Sequence, residues 1–190
     1  MGKNNLGFFP LLLPLSSILI WGSIFISAFL HSSFNWYNGL LSELGVSEVS
    51  YIFNSGLIGG GFLGVLFSIF FINYNKNVLR YLIIGAIFFA TNISYILAGV
   101  FTLSFGFIHY FFAFLAFALS ILLCGVMSII FIVKKNYFRL GVYGLIVLLI
   151  SLLVWIFINL PGLALIETVV ALMITSWFSM FGVTLYKYDS

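Results

Sequence analysis

Two side chains that can exchange protons with a substrate, His109 and Glu167, lie inside otherwise apolar stretches of this sequence. A histidine and a carboxyl group can act as general base and general acid, or stabilise a developing charge. Ser42 lies in a polar segment between two apolar stretches and is a candidate nucleophile for the same reaction. These three residues form the candidate catalytic set.

Three further polar side chains are candidates for ligand contact: Glu43, Asn54 and Asn92. Polar groups in hydrocarbon are costly, so those that persist mark binding sites or packing contacts. The simpler alternatives stay open, since a lone histidine such as His109 can hydrogen-bond a carbonyl. Ser42 and Glu43 can equally cap a short loop helix.

The sequence gives little support for a metal or redox site. Cys124 is the single cysteine, so neither a disulfide nor a cysteine-based metal site can form within the chain. The only two histidines, His31 and His109, leave a haem-b site as a minor alternative. No metal site is predicted, and the cofactor is left undetermined.

The composition is that of a protein embedded in lipid. Of 190 residues, 64% are hydrophobic and 6% are charged, whereas about a quarter are charged in soluble domains. A chain this short has too much surface to hide nearly all of its apolar area from water. The net charge is +3, but the basic residues form no stripe that could follow phosphates, so no nucleic-acid partner is expected.

The apolar stretches predict an all-α fold, a polytopic transmembrane bundle of six helices. Crossing a bilayer takes roughly 20 apolar residues in a helix. Six stretches meet this requirement, approximately 8–30, 51–73, 79–101, 106–133, 140–159 and 163–186. We expect residues 1–190 to form a single integral membrane domain.

The basic residues predict how the bundle is oriented. All seven fall on one side of the threaded chain: Lys3, Lys76, Arg80, Lys134, Lys135, Arg139 and Lys187. The positive-inside rule then places the N-terminus and the C-terminus in the cytoplasm, in a multi-pass protein of the cell membrane. A cleaved signal peptide ending near Ser27 and Ala28 is the alternative, and it would reverse this charge logic.

This orientation gathers the polar side chains near the outer face. His109 and Asn54 fall in the first outer turns of their spans, and Glu167 follows Pro161 by six residues, roughly 9 Å along the helix. The segment 31–50 is the only long connection, and it suits a short interfacial helix or a cap over the bundle mouth.

Glycines recur every four residues in the second span, at Gly56, Gly60 and Gly64. One face of that helix therefore has almost no side chain, and another helix can approach it closely. The pattern predicts helix packing against another span, a second protomer or a lipid.

Residues 40–67 read LLSELGVSEVSYIFNSGLIGGGFLGVLF. The Ser-x-Leu-Gly element at Ser42, followed by the pair Phe53 and Asn54 and a glycine-rich run, resembles the six-helix prokaryotic membrane proteins catalogued as domain of unknown function 998. His109 at the start of the fourth span and Glu167 in the sixth, five residues after a glycine, are similar to that family's pattern.

The chain departs from the pattern at Thr168, where family members usually carry a basic residue. A glutamate–arginine pair is therefore not expected here. The family is similar in outline to eukaryotic six-helix proteins that remodel lipid-linked glycans, so the resemblance implies a lipid-facing function.

Two main hypotheses follow. The first is an outer-face polar pocket that binds or processes a lipid or an isoprenoid-linked ligand, with enzymatic activity left undecided. The second is a non-catalytic structural subunit of a larger membrane complex, with other membrane subunits or a homo-oligomer as partners. A transporter and a haem-b protein are minor alternatives.

Overall fold

The computed structural model describes residues 7–189, and six long helices dominate it. The helices are α1 Leu12–Leu30, α2 Ser50–Tyr74, α3 Leu79–Val100, α4 Phe107–Lys134, α5 Phe138–Phe157 and α6 Ala164–Asp189. Each is long and apolar enough to cross a membrane. The prediction of an all-α bundle with six membrane spans is confirmed; Lys3 lies outside the described residues.

The helix ends agree with the hydropathy boundaries to within four residues, and α5 is displaced by two residues at both ends. That helix occupies residues 138–157 rather than 140–159. It begins early because Lys135 and Tyr137 both adopt left-handed backbone angles, with φ of 57° and 55°, which makes the connection from α4 very short. It ends at Phe157, and Ile158 follows in extended backbone shortly before Pro161, which cannot continue a helix.

Helices that are consecutive in sequence pack side by side, and α1 packs against α6 to close a ring. A further contact joins α4 to α6, while α5 lies against both. We call the end with segments 31–49, 101–106 and 158–163 the long-loop end. The other end, which holds Lys76, Arg80, Lys134, Lys135, Arg139 and Lys187, is the basic end. Its cytoplasmic location stays a prediction.

The half of the bundle nearer the basic end has an aromatic core. Phe67, Phe88 and Phe181 pack together, with ring centroids 5.4–6.3 Å apart. Trp177 is fully buried beside them, and its indole N–H donates to the carbonyl of Leu140, 3.0 Å away, which ties α6 to α5. Such contacts matter because van der Waals packing and interhelical hydrogen bonds associate helices in lipid.

The glycine face of α2 is covered within the chain. Gly56 lies against Ser23 of α1 and Gly60 against Ile20, so close that a methyl group at either position would overlap the facing side chain. Gly64 lies equally close to the amide of Asn92 on α3. These glycines therefore serve contacts inside the bundle.

Candidate functional site

A cavity of about 210 Å³, which we call the main cavity, lies in the half of the bundle nearer the long-loop end. Residues from α1, α2, α3, α4, α6 and the 31–49 loop line it, and α5 contributes none. Most of the wall is apolar. The candidate catalytic residues Ser42, His109 and Glu167 all line this main cavity, although no hydrogen bond joins any two of them among residues 7–189.

His109 lies in the first turn of α4, where Gly106 supplies a positive φ of 56° just before the helix. Its Nδ1 is 2.8 Å from the carbonyl oxygen of Phe101 and 3.2 Å from that of Ala98. Because both partners are acceptors, Nδ1 carries the proton. In the neutral ring, Nε2 keeps its lone pair and has no hydrogen-bond partner in the described part of the chain.

Glu167 lies in the first turn of α6, where a carboxyl group is favourably placed near the helix N-terminus. Its Oε2 accepts a hydrogen bond from the backbone N–H of Leu41, 3.4 Å away, so Glu167 helps to hold the 31–49 loop. The adjacent Thr168 is buried and donates to the carbonyl of Ala164, 2.7 Å away.

The 31–49 loop forms the roof of the main cavity because it is bonded to the start of α6. The backbone N–H groups at positions 162, 164 and 165 donate to the carbonyls of residues 37, 39 and 36, at 2.8, 2.9 and 3.1 Å. The backbone around Asn38 comes so close to Gly162 that any side chain there would overlap it. The first amides of α6, normally unpaired at a helix N-terminus, are thus satisfied by the loop.

The loop places its two candidate residues differently. Ser42 is partly buried in the short 3₁₀ segment Leu41–Val46 and lines the main cavity, and its hydroxyl has no partner within residues 7–189. Glu43 is exposed and does not line the cavity.

The two asparagines face other surfaces. Asn54 donates from Nδ2 to the carbonyl of Gly45, 2.9 Å away, and so anchors the loop to α2, while its Oδ1 is buried without a partner. Asn92 is buried and donates to the carbonyl of Phe88, 2.8 Å away. Neither lines the main cavity.

A small cavity of about 40 Å³ lies deeper in the bundle, and Asn92 lines it. It shares Ile20, Tyr95 and Thr175 with the main cavity, so the two adjoin. Sequence reasoning did not select Tyr95 or Thr175. The signal was present as hydroxyl groups in the middle of apolar spans, but serine and threonine often bond the backbone of their own helix there, as Thr175 does with Ala171.

The exposed part of the main cavity wall comes from residues at the start of α4 and just before α6. Two of its lining residues, Tyr110 on α4 and Leu163 before α6, are 53% and 37% exposed. The neighbouring end of α5 is turned outward, and its Leu152 and Phe157 are 56% and 77% exposed. We call the exposed part of the wall between Tyr110 and Leu163 the side opening, and exposed apolar side chains of this kind are typical of a surface that contacts lipid.

The geometry separates the two histidines. His31 pairs with Glu48 at 3.3 Å and contacts the hydroxyl of Ser33 at 3.2 Å, and it does not line the main cavity. Across residues 7–189, no three side chains of His, Cys, Asp or Glu come together as a metal site would require.

Comparison with known proteins identifies one family. The model of the family described as "Protein of unknown function (DUF998)" matches residues 14–184, which is most of the chain. No curated protein and no solved structure matches.

Proposed function

The chain belongs to the DUF998 family, whose function is unknown, and we propose that it binds one end of a membrane lipid or a similar amphipathic molecule in the main cavity. One observation carries this proposal: an apolar cavity that opens toward the lipid zone contains His109 and Glu167 on its wall. Small-molecule sites are typically apolar cavities with a few convergent polar groups.

The size of the main cavity limits how much of the ligand it holds. An apolar cavity of about 150 Å³ is large enough for benzene. At about 210 Å³, the main cavity accommodates a head group or a short chain segment, while the rest of the molecule must extend through the side opening. The ligand class that fits is therefore one with a compact head and a flexible apolar tail.

Native mass spectrometry of protein purified in mild detergent tests this proposal. Phenylalanine in place of Ala113, which lines the main cavity, should fill it. The matched control is Ala118→Phe on the same helix, since Ala118 does not line the cavity. We expect lipid adducts on the wild type and on Ala118→Phe, and at least tenfold less adduct on Ala113→Phe. Equal adduct on both variants, or no adduct on the wild type after exposure to host lipids, would contradict the proposal.

A second candidate, acyl transfer or ester hydrolysis, is favoured because Ser42, His109 and Glu167 line the same cavity. The Ser42 hydroxyl would attack an ester carbonyl while His109 Nε2 takes its proton and then gives it to the leaving alcohol. Water would release the acyl group from Ser42. Glu167 would stabilise the protonated imidazole. Ser42→Ala should then abolish product formation but keep the lipid adduct, and unchanged turnover would exclude Ser42 as nucleophile.

Two other hypotheses gain no support from the geometry. The structural-subunit hypothesis would use the glycine face of α2 to contact other subunits, but that face packs against α1 and α3. A transporter with broken helices is not favoured either, because each of the six helices is continuous within the described residues.

A further inference from the structure

The polar groups that line the main cavity differ in whether they have a hydrogen-bond donor or acceptor free for a ligand. The Trp21 indole N–H is already used, since it donates to the hydroxyl of Thr175, 2.8 Å away. That hydroxyl in turn donates to Ala171, 2.7 Å away. The Nδ1–H of His109 is used by two backbone carbonyls. Most of the donors around the cavity are therefore already paired.

Two of the groups left unpaired, His109 Nε2 and Glu167 Oε1, are acceptors. His109 Nε2 has no partner in the described chain, and Nδ1 holds the ring proton. Glu167 uses only Oε2, in its contact with the N–H of Leu41, so Oε1 is free within residues 7–189. Ser42 and Tyr110 add hydroxyl groups that can donate or accept and that have no partner within residues 7–189. A ligand head that brings its own N–H or O–H groups would satisfy these acceptors.

A phosphate is an acceptor, and it binds through hydrogen-bond donors and positive charge. No lysine or arginine lines the main cavity, and the described basic side chains are at the far end of the bundle. Helix N-termini are a second source of anion-binding groups. At the start of α6, the N–H groups of residues 164 and 165 are taken by carbonyls of the 31–49 loop. Glu167 adds a carboxyl group to the cavity wall, and a carboxyl group supplies no positive charge for a phosphate.

We propose that the main cavity selects lipids whose head carries hydrogen-bond donors, a hydroxyl or an amine, and discriminates against the phosphorylated form of the same lipid. This inference rests on the proposed lipid binding and adds the chemistry of the head group. The tail leaves between the starts of α4 and α6, and the head meets Glu167 Oε1 and His109 Nε2.

Three ligands with the same oleoyl or oleyl chain separate the alternatives: 1-monooleoylglycerol, oleylamine and oleoyl lysophosphatidate. The first and third differ mainly by the phosphate group. Binding to delipidated, full-length protein is measured by competition in native mass spectrometry. We expect the glycerol ester or the amine to bind at least tenfold more tightly than the phosphate, which corresponds to about 1.4 kcal/mol. The stronger of the two identifies which donor head is preferred.

Variants link the selectivity to the two acceptors. Glu167→Gln replaces one acceptor oxygen by a donor, and His109→Asn keeps a donor near the position of Nδ1 while it removes Nε2. Each should reduce the preference over phosphate at least threefold. The control Glu48→Gln alters an exposed residue outside the cavity, and the preference should not change.

Each result has one meaning. A preference for donor heads that both variants weaken supports the inference. Lysophosphatidate binding as tightly as the other two, or variants that keep the full preference, overturns the inference and leaves lipid binding intact. Failure of all three ligands to bind overturns the proposed function as well.

Discussion

Replacing Gly162 by alanine should detach the 31–49 loop from the start of α6. A Cβ atom at this position would overlap the backbone of Asn38, and backbone cannot turn aside as a flexible side chain can. The loop must therefore move away. Movement breaks the three bonds from the N–H groups of residues 162, 164 and 165 to the loop carbonyls.

The magnitude follows from those bonds. Each backbone hydrogen bond contributes about 0.5–1.5 kcal/mol net, so losing three costs about 1.5–4.5 kcal/mol. Partial relaxation of the loop lowers the cost, because some bonds reform in a shifted position. We expect the free energy of unfolding to fall by about 2–3 kcal/mol, within the range measured for overpacked sites.

Unfolding in a denaturing-detergent titration, followed by tryptophan fluorescence, measures this change. Hydrogen exchange of the amides of residues 36–41 and 162–165 locates it. Gly22→Ala is the matched control, since nothing lies within 4 Å of a Cβ atom at that position of α1. It should be neutral or more stable by up to about 1 kcal/mol. If Gly162→Ala keeps wild-type stability and wild-type protection of these amides, the reasoning is refuted.

Three further substitutions test single contacts by thermal unfolding. His109→Ala should lower the free energy of unfolding by about 1–3 kcal/mol because it leaves buried carbonyls unpaired. His109→Asn should recover much of that loss. Equal loss in both variants would contradict the hydrogen bond from Nδ1. Asn54→Ala should cost at most about 1.5 kcal/mol, since its bonded Nδ2 and its unpaired Oδ1 are lost together, and faster exchange should be confined to the 3₁₀ segment. Trp177→Phe removes a fully buried donor, and the free energy of unfolding should fall by about 2–3 kcal/mol. The control Trp155→Phe changes a side chain that is 46% exposed, and its effect should stay within about 0.5 kcal/mol. Similar losses at both tryptophans would exclude the Trp177 hydrogen bond as the cause.

The fold was predictable because a membrane span depends on length and hydropathy, both of which are read directly from sequence. Each of the six predicted spans corresponds to one helix. The shift in α5 arose because the left-handed backbone at Lys135 and Tyr137 shortens a connection whose polar residues had suggested a longer loop. No hydropathy pattern reports such a turn when the residue is not glycine.

The sequence predicted how far along the bundle each candidate residue lies, but not toward which neighbour its side chain points. Sequence placed His109, Asn54 and Glu167 near one end of the bundle, because the threading gives the level of each residue in the membrane. It could not say which way each side chain points, since these helices are apolar on all faces. In the structure His109 and Glu167 face the main cavity, whereas Asn54 turns to the loop carbonyl of Gly45.

The loop contacts were beyond sequence reasoning for a different reason. The hydrogen bonds between the 31–49 loop and the start of α6 join residues more than 120 positions apart through backbone atoms. Every residue except proline has a backbone N–H, so the residue type does not show which of them forms such a bond. Only Gly162 marks the contact, and one glycine before a helix has many simpler explanations.

The most direct test of lipid binding in the main cavity is a structure of the protein in lipid nanodiscs, with a bound antibody fragment to add mass. We expect continuous density that enters between the starts of α4 and α6 and ends within hydrogen-bond distance of Glu167 and His109. A main cavity that holds only ordered water, with the side opening closed by α5, would contradict this expectation.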